Sequence, residues 1–148
     1  MFLHQNSCHC CVFEGAMQPR LLDKDHYYVA LGSGKLSADP FLRFLVDTFC
    51  QSGHPTVREA VFLATWAVQH VIDVNPGGVA GPIRVGVVEV ASGAGYVARE
   101  LPDAEIGEHQ QAIESARDAL RDWRRSIGGQ STIAAQGVPQ PPAAPTTP

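Results

Sequence analysis

The sequence predicts an α/β domain, more closely α+β, in which helices are layered against antiparallel strands. Three observations predict it. Val57–Ile72 is apolar on nearly every side, from Val57, Ala60, Val61 and Phe62 to Val68, Val71 and Ile72; a helix of that kind is a buried one and needs cover on both sides. Ile83, Val85, Val87 and Val90 alternate around Arg84, Gly86 and Glu89, and Tyr96–Leu101 returns after the turn Ser92-Gly93-Ala94-Gly95, which is the pattern of a strand hairpin. Two glycine-rich junctions link the helices to strands: Tyr27–Leu31 runs through Gly32-Ser33-Gly34 into a helix, and Asp73-Val74-Asn75-Pro76-Gly77-Gly78 leads from a helix to Ile83–Val90.

Along the chain, residues 1–11 read as an irregular start, with a short strand at Cys11–Glu14. Arg20–Leu22 and His26–Leu31 flank the turn Asp23-Lys24-Asp25 and read as a hairpin; Tyr27, Tyr28 and Val29 are strong strand formers. Asp39 is placed as an N-cap with Pro40 at the first helical position, where its missing N–H is harmless. Leu42, Leu45, Val46 and Phe49 then recur at helical spacing, predicting a helix over Pro40–Cys50 that Ser52-Gly53-His54-Pro55 ends. Thr56-Val57-Arg58-Glu59 has the form of a capping box for the apolar helix. Asp103 is expected to cap a last helix, in which Ile113, Ala116, Leu120, Trp123 and Ile127 step by three and four, with Arg117, Arg121, Arg124 and Arg125 late enough to favour its dipole. The organisation expected is therefore an irregular 1–11, a folded 12–127, and a Pro-, Ala- and Gln-rich disordered tail over 128–148.

Composition excludes several function classes. Charged residues are 18% of the chain, the formal net charge is −4 and aromatics are 7%. There is no basic footprint for nucleic acid and no stacking surface. The longest apolar stretch, Ala60–Ile72, is interrupted by Thr65, Gln69 and His70 and is too short for a membrane span. Residues 1–12 lack a basic segment followed by an apolar core, so no signal peptide is expected and the cytoplasm is the expected location. No cofactor is expected.

Gly32-Ser33-Gly34-Lys35 is not a phosphate loop: Val29 stands where the first glycine of that motif belongs and Leu36 follows the lysine. A dinucleotide fingerprint also fails, because Ser37 occupies its third glycine. From the residues alone, Ser33 is a turn serine between two glycines, and Asp73 is a carboxylate at a helix end. Taken together and in order, the two junctions resemble the second half of a proteasome-type, β-subunit-like N-terminal-nucleophile hydrolase. Asn75-Pro76-Gly77-Gly78-Val79-Ala80-Gly81-Pro82-Ile83 and Glu105-Ile106-Gly107-Glu108-His109 are similar to a bacterial proteasome-like group. The resemblance covers roughly Val12–Trp123.

The resemblance implies a four-layer α-β-β-α sandwich with antiparallel sheets, of which this chain supplies part. It implies a ring of like subunits acting on peptides or unfolded proteins, and no nucleic acid or membrane partner. Peptide bonds in such enzymes are cut by a threonine exposed at the N-terminus, whose own amine is the base. Ser33 matches the family serine that supports that threonine, and Asp73 the family aspartate beside it. Pro76 departs from the family serine, and with neither hydroxyl nor N–H it cannot share the proton network. Residue 1 is Met, followed by Phe2, so the nucleophile is not expected in this chain. The chain is expected to lack the catalytic N-terminal half of such a domain and to be inactive alone, with the first hairpins, a threonine and a lysine encoded upstream of Met1. The alternative is a non-catalytic, ring-forming scaffold of the same fold. A third reading, a small metal- or thiol-dependent protein, rests on His4, Cys8, His9, Cys10 and Cys11, a run too crowded for tetrahedral zinc, so no metal is expected.

Overall fold

The computed structural model describes residues 2–4, 7–13, 19–90 and 95–134, with side chains for 10–13, 19–90 and 95–128. Among these residues the fold is a mixture of helices and small antiparallel sheets. Strands β1 (Phe2–His4) and β2 (Ser7–His9) pair, as do β3 (Cys11–Phe13) and β4 (Pro19–Leu21), and β5 (Gly86–Val90) and β6 (Tyr96–Glu100). The helices are α1 (Lys35–Phe49), α2 (Val57–Val74) and α3 (Asp103–Ala134). The chain divides into two compact units, Met1–Gln110 and Gln111–Pro148, and the boundary falls within α3. No helix among the described residues is long and apolar enough to cross a membrane.

In the first unit, α1 and α2 are joined by an aromatic seam. Phe41 of α1 stacks on His70 at 4.0 Å and meets Trp66 edge-on at 6.0 Å; Phe49 meets Trp66 at 6.1 Å and Phe62 at 6.0 Å. Rising residue numbers on α1 meet falling ones on α2, so the helices run antiparallel. Phe62, Trp66 and His70 share a helical face because they are four residues apart. Elsewhere on α2, Val61 joins Ile83, Val87, Leu101 and Ile106 in a second cluster, flanked by Ile72 and Val85. This cluster ties α2 to the β5–β6 hairpin and to the first turns of α3. Leu101 extends the hairpin by donating its N–H to the Val85 carbonyl at 2.9 Å.

The expected capping box is present. The Thr56 hydroxyl accepts the Glu59 N–H at 3.3 Å, and the Glu59 carboxylate accepts the Thr56 N–H at 2.7 Å. These bonds satisfy two amides that the helix itself leaves unpaired. The Thr56 N–H, and after it the Thr56 hydroxyl, which donates at 2.8 Å, hold the Glu59 carboxyl below its ordinary pKa. Thr56→Ala is expected to lower stability by about 1 kcal/mol. A depressed carboxylate adds stability above its unfolded-state pKa and loses it as pH falls through the folded value. The gap between wild type and Thr56→Ala, measured by urea midpoints, should therefore narrow as the medium is acidified through the carboxylate range.

Several expectations are corrected. Phe2–His4 and Ser7–His9 pair in register Phe2↔His9, so the start is not irregular throughout. Pro19–Leu21 pairs with Cys11–Phe13, not with His26–Leu31. The Asp23 turn closes locally instead: the Asp23 carboxylate accepts the N–H groups of Asp25 at 2.9 Å and His26 at 2.7 Å, which lowers its pKa. Helix α1 begins at Lys35 with Gly34 at its N-cap, so Pro40 lies inside it. Asp39 is not the cap; its carboxylate accepts the Ala30 N–H at 3.2 Å. Helix α2 is not covered all round, since Val57, Val68 and Val74 are exposed.

The second unit contains the rest of α3, which runs to Ala134 and so past the expected boundary at Gly128. Helix propagation adds a hydrogen bond for each residue fixed, which carries it across Gly128 and Gly129. Ile113 is buried, whereas Leu120, Trp123 and Ile127 are exposed. Arg117, Arg121 and Arg125 are consequently in mid-helix rather than at its end, and they pair with Glu114, Asp118 and Asp122 one turn earlier. The expected turn at 92–94, the rest of the tail at 135–148, and the side chains of His4, Cys8 and His9 lie outside the described residues.

Candidate functional site

The two glycine junctions meet in space. Gly32 has φ +88°, a left-handed conformation open to glycine at little cost. Gly34 is glycine for another reason: a Cβ there would lie 2.7 Å from Val71 Cγ1 and 3.2 Å from Val79 Cγ2. Between them, Ser33 Oγ donates to the Gly78 carbonyl at 3.0 Å. The second junction is closed by the N–H groups of Gly78 and Val79, which donate to the Asn75 carbonyl at 3.0 and 3.2 Å. The turn that starts α1 is thus clamped to the turn that ends α2 by a hydrogen bond, and Val71 and Val79 leave no room for a side chain at Gly34.

Asp73 sits in the last turn of α2 and is exposed. Its carboxylate accepts from Gln69 Nε2 at 2.9 Å, and Gln69 Oε1 in turn accepts from Gln110 Nε2 at 3.1 Å. Pro76 is exposed in the turn between Asp73 and Gly77. Ser33 is brought to Gly78, four residues beyond the start of the second turn's Val74, so its hydroxyl proton is engaged by a carbonyl oxygen.

Ser33 also lines an apolar groove of about 660 Å³. One wall is Tyr27–Leu31, which runs without helix, turn, bend or ladder partner. The floor comes from α1 and α2, including Leu42, Val46, Ala60, Ala64 and Ala67. At one end Tyr27 packs against His54 at 4.8 Å, and His54 Nε2 lies 2.8 Å from the Lys24 carbonyl. Burial, then a hydrogen bond with Cys50, pushes the Tyr27 hydroxyl above its ordinary pKa. The small residues of the floor were visible in the sequence as part of an all-apolar helix; their collection on one open face was not.

A second cavity, of about 630 Å³, lies beside the start of α2, the β5–β6 hairpin and the first turns of α3. Its charges are largely mutual: Arg99 reaches Glu105 at 3.3 Å and Glu89 at 3.8 Å. Glu105, Glu108 and His109 of the singled-out motif all line it. Of the cysteines, Cys10 is exposed and Cys11 and Cys50 are half-buried, all three as free thiols. Among the described residues no group of three or more His, Cys, Asp or Glu side chains is placed to hold a metal ion. Comparison with family models, curated proteins and solved structures gives no match.

Proposed function

We propose that this chain is a proteasome-like, N-terminal-nucleophile hydrolase subunit that is not catalytic by itself. The observation that carries this is the Ser33 Oγ bond to the Gly78 carbonyl. The resemblance rested on two separate segments, and this bond makes one structural unit of them. In an intact enzyme of this kind, Ser33 and Asp73 would support an N-terminal threonine in a four-layer sandwich. Here Pro76 supplies neither a hydroxyl nor an N–H to a proton network. Partners on this reading are like subunits in a cytoplasmic ring, with peptides or unfolded proteins as the substrate class of the complete assembly.

The scaffold alternative is favoured by a different observation. Leu36, Phe44 and Phe49 of α1 and Val57, Val68 and Val74 of α2 are all exposed, and contacts with like subunits would remove such apolar surface from water. Both readings are tested with the purified 148-residue chain. It is expected to leave fluorogenic peptides uncleaved and to gain no mass from a threonine-directed epoxyketone. Stoichiometric labelling at a threonine would overturn the non-catalytic assignment. Native mass spectrometry is expected to show discrete multiples of the chain; a monodisperse monomer with a cooperative melt would remove the subunit reading altogether.

A further inference from the structure

We propose that residues 139–148 run back along α3 as a polyproline II helix and cover its exposed stripe of Leu120, Trp123 and Ile127. This replaces the free tail that composition alone leads one to expect, and it does not depend on the peptidase reading. Steps of three and four residues put these side chains, with Ala116, on one face of α3. All three are exposed, Trp123 by 64%. The ion pairs of Arg121 with Asp118 and of Arg125 with Asp122 lie round the other side of the helix. Ala119 and Ser126 flank the stripe with small side chains, so a neighbouring segment can come close to the helix there.

The occupant is identified by its spacing and its reach. Pro139, Pro142, Pro145 and Pro148 recur at every third residue, and residues 139–148 carry no charge. Polyproline II has three residues per turn, so this spacing sets all four rings along one edge. The rings repeat about every 9 Å, close to the roughly 10.5 Å that seven helical residues set between Leu120 and Ile127. Helix α3 runs to Ala134, and residues 135–138, with Gly137 among them, are enough for a reversal. Residues 139–148 then span about 28 Å, more than the roughly 21 Å of helix from Ala134 back to Leu120. The size of the stripe also favours a partner on the same chain. Three side chains expose far less than the roughly 800 Å² per partner of a stable dimer, whereas a short tether holds its segment at an effective concentration in the millimolar range. Polyproline II is already extended and loses little freedom on docking against an aromatic surface.

A contact of this kind opens ahead of the rest of the fold, so local probes read it and a global melt does not. Acrylamide quenching of tryptophan fluorescence in the full chain reports mainly on Trp123, because Trp66 is buried. Nuclear Overhauser cross-peaks between proline rings and the Trp123 indole report the contact itself. Pro142→Lys with Pro145→Lys puts charge on the proline edge. Pro141→Lys with Ala144→Lys puts the same charge on another edge and is the control. All four positions lie beyond α3, so the variants leave the helices and strands as they are. Wild type and control are expected to protect Trp123 equally at every chain concentration. The edge variant is expected to be quenched about twofold more strongly, since one face of the indole is uncovered, and to lose the cross-peaks. A wild type quenched as freely as the edge variant overturns the proposal. So does protection that the edge variant retains. Protection that appears only as chain concentration rises belongs to a second copy and overturns it as well.

Discussion

Trp66→Ala is expected to be among the most damaging substitutions in the first unit, lowering stability by about 3–5 kcal/mol. Trp66 is 5% exposed and is the ring at which the helix pair is knotted. It meets Phe41 edge-on at 6.0 Å, Phe62 edge-on at 5.4 Å and Phe49 at 6.1 Å. Its removal loses transfer free energy, leaves a cavity, and breaks three aromatic contacts worth about 0.5–1.5 kcal/mol each in favourable cases. Domains of ordinary stability have about 5–15 kcal/mol in hand, so the variant should unfold at a much lower urea concentration or lose its cooperative transition. Trp123→Ala provides the contrast, because Trp123 is 64% exposed and surface changes usually fall within about 0.5 kcal/mol. Equal shifts in the two variants would mean that the aromatic seam is not where α1 and α2 are held.

The parts of the fold that the sequence made legible are those decided locally. Thr56 and Glu59 cap α2 because the capping box needs four consecutive residues and nothing else. The β5–β6 hairpin follows from alternation and a short connection, and its register Val88↔Ala98 follows from both. The misjudged parts turn on distant partners. Asp39-Pro40 has the form of a helix start, but the Asp39 carboxylate is taken by the Ala30 N–H, and the helix begins at Lys35 instead. Pro19–Leu21 had two candidate partners, and no local rule selects Cys11–Phe13 over His26–Leu31. The arginines of α3 were assigned to a helix end that lies further on; their spacing of three from Glu114, Asp118 and Asp122 was the signal available.

The candidate site divides in the same way. Ser33 and Asp73 could be singled out as residues of two glycine junctions, but only the fold brings Ser33 to Gly78. The role of Gly34 was hidden for the same reason. Its backbone is in the right-handed region, with φ −83° and ψ −4°, so conformation alone does not demand glycine. What demands it is Val71, a residue far along the chain and itself only 3% exposed.

Gly34→Ala is therefore expected to lower stability by about 1–3 kcal/mol, the range for forcing a methyl group into a filled site. An N-cap change from glycine to alanine contributes to that loss, but two features separate packing from capping. The added Cβ would lie 2.7 Å from Val71 Cγ1, and a buried valine has little freedom to turn its γ-methyl aside. Shortening the neighbour should then relieve the contact. Val71→Ala is destabilising alone, since it leaves a void, whereas the pair Gly34→Ala with Val71→Ala fills that void with the new methyl. The double-mutant cycle should show a favourable coupling of about 1 kcal/mol. If the two changes simply add, Gly34 is glycine for the sake of the helix start and the close approach to Val71 is not what fixes it. If they couple, the start of α1 and the end of α2 are held together by packing as well as by the Ser33 hydrogen bond, and the two glycine motifs act as one unit of structure.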